Sequence, residues 1–174
     1  MLDVMDRVSR VAVLDRPVLV VGERGTGKEM IGSRIHYLSK RWDRAFIKLN
    51  CAALPETLLE SELFGYKPGA FPGATKRRTG RFEAADTGSL FLDEIANMSA
   101  SAQEKLLRVV EYGEFERVGG SDAVHVDVRG VAAANEDLPR SADEGRLRPD
   151  LLALLAVDVL HVPPIGLPQA ALTV

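Results

Sequence analysis

The run Val18-Leu19-Val20-Val21-Gly22-Glu23-Arg24-Gly25-Thr26-Gly27-Lys28-Glu29 constrains this chain more than any other segment. A β-branched apolar stretch ends in Gly-x-x-x-x-Gly-Lys, and a helical pattern follows at once. That is the strand, loop and helix of a phosphate-binding P-loop. The glycines let successive backbone N–H groups turn inward on a polyphosphate, because no Cβ blocks a positive-φ turn. The start of the helix adds unpaired N–H donors and the positive end of its dipole. Lys28 supplies a point charge for the β- and γ-phosphates. Glu29 stands where the general pattern has a magnesium-binding Ser or Thr. A plain glycine turn after a strand is the competing reading, and it leaves the lysine, the spacing and the helix unexplained.

The rest of the composition narrows the class. With 174 residues, 46% hydrophobic and 27% charged, the chain suits one globular domain with a real core. Its net charge of −3 gives no electrostatic case for wrapping nucleic acid. Lys76-Arg77-Arg78 is a local basic patch that reads first as a solvated loop. The single Cys51 excludes an internal disulfide and a cysteine-based zinc site, and is expected to fill core space. His36, His125 and His161 lack metal-ligand spacing and read as structural or surface residues. No apolar run approaches a membrane span and no signal-peptide pattern opens the chain, so a cytoplasmic protein is expected.

Helical spacing of Leu2, Met5, Val8 and Val11-Ala12 predicts a first helix to Leu14, stopped by Asp15-Arg16-Pro17. Strands are expected at 18–21, 45–49, 89–92 and 157–162. Helices are expected at 28–39, 56–63, about 101–111 and 150–155. Residues 65–79, rich in Gly, Pro and basic side chains, read as a loop. Two alternating segments, 114–118 and 124–128, flank Gly119-Gly120 as a hairpin whose second arm continues into the apolar run 131–134. Strands alternating with helices argue for a parallel α/β sheet covered on both faces. A domain over 1–164 with an irregular tail at 165–174 is the expected organisation.

Leu90-Phe91-Leu92-Asp93-Glu94 places two carboxylates at the end of an apolar strand, where ligands of open α/β sheets bind. Asp93 there can hold magnesium, and Glu94 can orient and activate a water for attack on the γ-phosphate. Alone, the pair reads equally well as a helix cap; downstream of a P-loop it reads as catalytic. Asn50 and Asn135 also follow apolar strands. Each is either a neutral partner for a carboxylate, water or phosphate oxygen, or an ordinary Asx turn. Arg148 is either a group that reaches a neighbouring subunit's phosphate or half of a surface ion pair.

Taken together, GERGTGKE at 22–29, LNCAAL at 49–54, ELFG at 62–65, GAFPGA at 69–74, the 80–94 segment ending in LFLDE and QEKLLRV at 103–109 resemble the AAA+ domain of bacterial sigma-54-dependent activators. The resemblance covers about residues 2–164. Glu after the P-loop lysine is normal in that family. The resemblance implies an AAA+ core whose parallel sheet lies between helices, with a hairpin insertion. It implies ATP and Mg2+ as cofactors and assembly into a ring, usually a hexamer. It also implies an ATPase that remodels the closed complex of its partner, the sigma-54 RNA polymerase holoenzyme. By matching position, Gly22, Glu23, Arg24, Gly25, Thr26, Gly27, Lys28 and Glu29 would bind phosphates, together with Asp93 for magnesium and Asn135 as a sensor. Glu94 would direct the water, Asn50 would hold Glu94 aside until the γ-phosphate engages, and Arg148 would be an arginine finger. Gly69, Ala70, Phe71, Pro72, Gly73 and Ala74 would form the loop that touches the sigma factor.

Four departures from the family pattern qualify these roles. Pro72 replaces a threonine in the sigma-contacting loop, and Leu154 replaces a second finger arginine. Ala134 replaces a sensing threonine before Asn135. The base-side segment at the start, the helical lid and a DNA-binding domain are expected to be absent from the chain. A module that binds ATP yet fails to hydrolyse it, inactive or poisoning rings of intact activators, is therefore the alternative.

Overall fold

The computed structural model of the chain describes residues 2–135 and 138–164; the expected tail at 165–174 lies outside the described residues. Helix α1, Leu2–Ala12, has Asp3 in its first turn and Arg10 in its last, complementing the helix dipole. Asp6 and Arg10 pair one turn apart at 2.6 Å. The helix ends before Pro17, and the chain enters strand β1, Val18–Val21. Helix α2 follows at Lys28–Tyr37, then β2 at Phe46–Asn50 and α3 at Glu56–Phe64. A short helix α4, Arg81–Ala84, leads into β3, Ser89–Asp93. Helix α5 spans Ala100–Tyr112, its start fixed by Ser99, whose hydroxyl accepts the Ala102 N–H. Strands β4, Glu114–Glu116, and β5, Ala123–His125, form the antiparallel hairpin. The chain closes with β6 at Arg129–Ala134, α6 at Leu138–Asp143, α7 at Pro149–Leu155 and β7 at Asp158–His161.

The main sheet is five-stranded, in the order β2-β3-β6-β1-β7, with every neighbouring pair parallel. Alternation along the strands divides the core in two. Val18, Val20, Phe91, Val131 and Ala133 face α1 and α2, joining Val8, Val11, Ile31 and Ile35. Leu19, Leu90, Leu92, Ala132 and Ala134 face the opposite layer, with Leu59, Leu63, Phe82, Leu106, Leu138, Leu151 and Leu155. On the first face α2 lies unusually close to the sheet. A Cβ at Gly32 would come within 2.4 Å of the Phe91 ring, so only glycine allows that approach.

Three expectations needed correction. The second hairpin arm does not run on into the apolar strand: β5 ends at His125, and β6 belongs to the other sheet. The break arises because Asp127 is engaged elsewhere, its N–H donating to Asp86 Oδ1 and its carbonyl accepting the Thr87 N–H. Helix α4 and helix α6 were not expected, being too short for a helical period to show. Boundaries otherwise shifted by a residue or two; α2, for example, stops at Tyr37 and β7 covers 158–161.

At the N-terminal end of the strands two arginines tie loops to the sheet. Arg129 is buried, donating to Ala12 O and Val11 O at 2.6 Å each and to Arg16 O at 3.1 Å. It thereby caps the carbonyl end of α1. Arg41 donates to both Asp15 oxygens, to Asp127 Oδ1 and to the Gly88 and Asp127 carbonyls, at 2.7–3.0 Å. That guanidinium holds the Asp15 carboxyl below its usual range. His36 is buried in the same region, hydrogen-bonded to Ser89 Oγ and the Arg44 carbonyl and stacked on Phe46. Burial pulls its pKa down, and the charges of Arg129 and Arg41 add to the effect.

Candidate functional site

Parallel strands deliver their C-terminal ends to one edge, and the polar residues at those ends converge there. In register, Asn50 of β2 lies beside Asp93 of β3, Asp93 beside Ala133 of β6, and Ala134 beside Val21 of β1. The loop 22–27 crosses this edge and turns into α2 through Gly27, which adopts φ 86° in the left-handed region that a side chain disfavours. A cleft of about 540 Å³ opens between them, lined by Arg24, Gly25, Gly27, Lys28, Glu29, Asn50, Ala52, Ala53, Asp93 and Glu94.

Inside it, the Lys28 ammonium is held beneath the loop, donating to the Gly22 carbonyl at 2.7 Å and, more loosely, to that of Glu23 at 3.4 Å. Thr26 Oγ1 donates to the Glu23 carbonyl at 2.6 Å and so fixes the loop's own curvature. Glu29 points away from the lysine's partners and pairs with Lys48 at 2.7 Å. Asp93, which lines the cleft, accepts the Glu94 N–H on Oδ1 at 2.9 Å. Glu94 is buried, at φ 57° and ψ 48°. A non-glycine residue in this region costs about 1 kcal/mol or more, and such strain gathers at functional sites.

Both Glu94 oxygens are engaged. With its amide oriented to satisfy both neighbours, Asn135 donates Nδ2–H to Glu94 Oε2 at 3.2 Å and accepts Arg24 Nε–H on Oδ1 at 3.2 Å. Arg24 Nε also lies 3.8 Å from Glu94 Oε1. Asn50, by contrast, folds back on its own turn, accepting the Ala52 N–H at 2.9 Å. Of the two readings of these asparagines, the turn describes Asn50 in this conformation and the carboxylate partner describes Asn135.

Cys51 lies behind the acidic pair, its N–H donating to the Asp93 carbonyl. Burial first, and then the Asp93 and Glu94 charges, push its thiol up to about 12. The thiol is therefore neutral, and Cys51 fills space as expected. No group of three or more His, Cys, Asp or Glu able to hold a metal exists among the described residues. The acidic pair still suits magnesium, which is usually bound by one or two carboxylates plus phosphate oxygens and water.

A second cleft, of about 680 Å³, opens on the other side of Gly22 and Glu23. Its lining is mostly apolar, with Leu19, Val21, Leu138, Leu152, Val159 and Val162 among it, and Asn135 at its polar rim.

Arg148 lies outside both linings. It precedes α7 and pairs with Asp150 through two bonds of 3.1 and 3.0 Å. What fixes it is a residue that sequence reasoning missed: buried Gln103 accepts the Arg148 N–H at 2.8 Å and donates to the Arg146 and Met98 carbonyls. The only visible signal is an amide on the buried face of α5, in line with Ala102, Leu106 and Val109. Leu154, further along α7, is half-buried.

The loop 69–74 is a compact structure that lines neither cleft. Gly69 N–H donates to the Ala74 carbonyl at 2.8 Å, and Ala74 N–H to that of Phe71 at 3.0 Å. Proline second and a positive-φ glycine third, Gly73 at 92°, are the marks of a type II turn. Pro72 therefore fits the loop and stiffens its tip. Phe71 leans edge-on against Tyr66, whose backbone bridges to Arg78 and Val118. The basic run nearby is partly paired, Arg77 with Glu83 and Arg78 with Glu62.

Comparison with known proteins identifies the family. Residues 1–161 match the sigma-54 interaction domain. The chain is 62% identical over 164 residues to the Psp operon transcriptional activator of Escherichia coli (strain K12), covering 94% of this chain and 50% of that protein. It is 58% identical over 162 residues to the Nif-specific regulatory protein of Azotobacter vinelandii, covering 93% of this chain and 31% of that one. The chain thus spans about a third to a half of the length of these relatives. Among solved structures, NtrX from Brucella abortus in complex with ATP superposes with a TM-score of 0.87 at 35% identity, over 95% of this chain and 35% of that one.

Proposed function

The chain belongs to the sigma-54 interaction domain family, and on that premise we propose that it is the ATP-hydrolysing AAA+ core of a sigma-54-dependent transcriptional activator. In this reading it uses hydrolysis to remodel the closed complex of sigma-54 RNA polymerase. The observation that carries the proposal is the meeting of Lys28, Asp93 and Glu94 in one cleft beneath a glycine loop at the start of a helix. An ATP-bound relative of the same fold supports it.

The phosphates would lie on the N–H groups of 24–28 with Lys28 between them, and the purine in the adjacent apolar cleft. Asp93 would hold magnesium, which neutralises phosphate charge when bound. Glu94 would orient and deprotonate the attacking water, and Asn135 would position that carboxylate. Asn50 would become its partner by exchanging the bond to its own turn. Arg148, its backbone anchored by Gln103 and its guanidinium paired with an exposed aspartate, would exchange that pair for a phosphate on a neighbouring subunit of a ring. The stiff 69–74 tip would meet the sigma factor.

Hydrolysis that needs a neighbour's arginine must rise per subunit as the protein is concentrated. We expect that rise, and expect Glu94→Gln to lower the rate by about 100-fold or more. An unchanged rate in that variant would sink the enzymatic reading. Leu154 favours a second reading, since leucine offers no charge where the family has another arginine, and a transition-state arginine is worth on the order of 10³–10⁵ in rate. Intact nucleotide binding with flat, negligible turnover at every concentration would select this second reading, a module that holds ATP without hydrolysing it.

A further inference from the structure

We propose that Arg24 is a positioning residue that parks Glu94 until a triphosphate arrives, then releases it. The proposal rests on the ATP-site reading above and extends it to a residue there counted only as part of the phosphate loop.

Glu94 is held by two elements at once. Asn135, at the end of β6, takes Oε2. Arg24, in the phosphate loop, faces Oε1 and also bonds Asn135, closing a three-residue ring. Among the described residues, Arg24 has no other charged partner. The two halves of this clamp are unequal. Glu94 is buried, whereas the Arg24 side chain is 78% exposed and its contact with Oε1 is 3.8 Å long. Its neighbour Gly25 has φ 78°, a left-handed corner beside which the arginine stands out from the loop.

An exposed ion pair of that length contributes little and is readily exchanged. A γ-phosphate entering the same cleft presents three oxygens and nearly two charges, and guanidinium prefers such bidentate anions. The arginine would leave the carboxylate for the phosphate. Glu94 would then keep Asn135, with Asn50 able to join it as proposed above, and gain the freedom to address a water. ADP, lacking the γ-phosphate, would leave the clamp closed. One residue would thus report triphosphate occupancy to the water-activating carboxylate without any contact between Glu94 and the ligand.

The proposal predicts an energetic coupling between Arg24 and Glu94 that appears only with a triphosphate. The test is equilibrium binding of magnesium AMP-PNP and of magnesium ADP to the full chain. The proteins compared are the parent, Glu94→Gln, Arg24→Ala and the double variant. With Arg24 present, Glu94→Gln removes the charge the guanidinium must abandon and should tighten AMP-PNP binding roughly three- to tenfold. With Arg24→Ala, the same change should shift affinity by less than about twofold, and ADP should be insensitive in all four proteins. Arg24→Lys keeps the charge and should retain most of the coupling, which separates loss of the cation from damage to the loop. An equal gain in both backgrounds would mean simple relief of charge repulsion and would overturn the proposal, as would an equal gain with ADP. Failure of the parent to bind either nucleotide would overturn the ATP-site reading first, a distinguishable result.

Discussion

The two ends of the central sheet use charge in opposite ways. At the N-terminal end, Arg129 spends all its reach on three backbone oxygens, and Arg41 is locked by two carboxylates and two carbonyls. At the C-terminal end, Lys28 holds only loop carbonyls, Arg24 touches Glu94 at 3.8 Å, and Asp93 keeps an oxygen free of described bonds. Saturated charges hold a fold together, because removing one strands its partners. Partly committed charges can change partners when a ligand arrives. The contrast separates cations locked into the fold from cations left able to change partners.

The sharpest way to break that contrast is Arg129→Met. It keeps the bulk but takes the guanidinium donors from the Ala12 and Arg16 carbonyls, Val11 retaining the Leu14 N–H, so unfolding free energy should fall by about 3 kcal/mol. Urea denaturation would measure it, and nucleotide affinity of the folded protein should be unchanged. The converse change is Lys28→Ala. There, titration should show nucleotide affinity lowered by about 100-fold, close to 3 kcal/mol, with stability moved by less than about 1 kcal/mol. A large loss of stability with intact binding would erase the distinction between the two ends.

The smallest expected effect is on pH. His36 is neutral in the fold and has its pKa below the ordinary 6.5, so the unfolded chain takes up the proton first. Stability should be flat above about 6.5 and decline as pH falls below it. Asp15, held below 3.8 by Arg41, adds a further loss at more acidic pH. Melting temperature measured from pH 8 to 5 should show this decline, and His36→Asn should flatten it.

The phosphate loop, the acidic pair and the parallel sheet were legible in the sequence because each is local: a glycine spacing, an apolar strand, two adjacent carboxylates. The ring joining Arg24, Glu94 and Asn135 was not legible. Its members come from three strand ends that meet only when β1, β3 and β6 lie side by side. Gln103 was hidden for the same reason, since its bond to Arg148 spans 45 positions. Nor could the composition of 69–74 tell whether Pro72 breaks the loop or suits it. That depends on Gly73 reaching a positive φ beside it.

The missing methyl at Gly32 has a consequence for tolerance. Gly32 lies one turn after Lys28, and the Phe91 ring it touches lies two residues before Asp93. The clearance between helix and strand is thus the gauge block that spaces the phosphate lysine from the acidic pair. A single carbon inserted there would act as a shim, widening the jaw of the cleft while leaving every side chain in it unaltered.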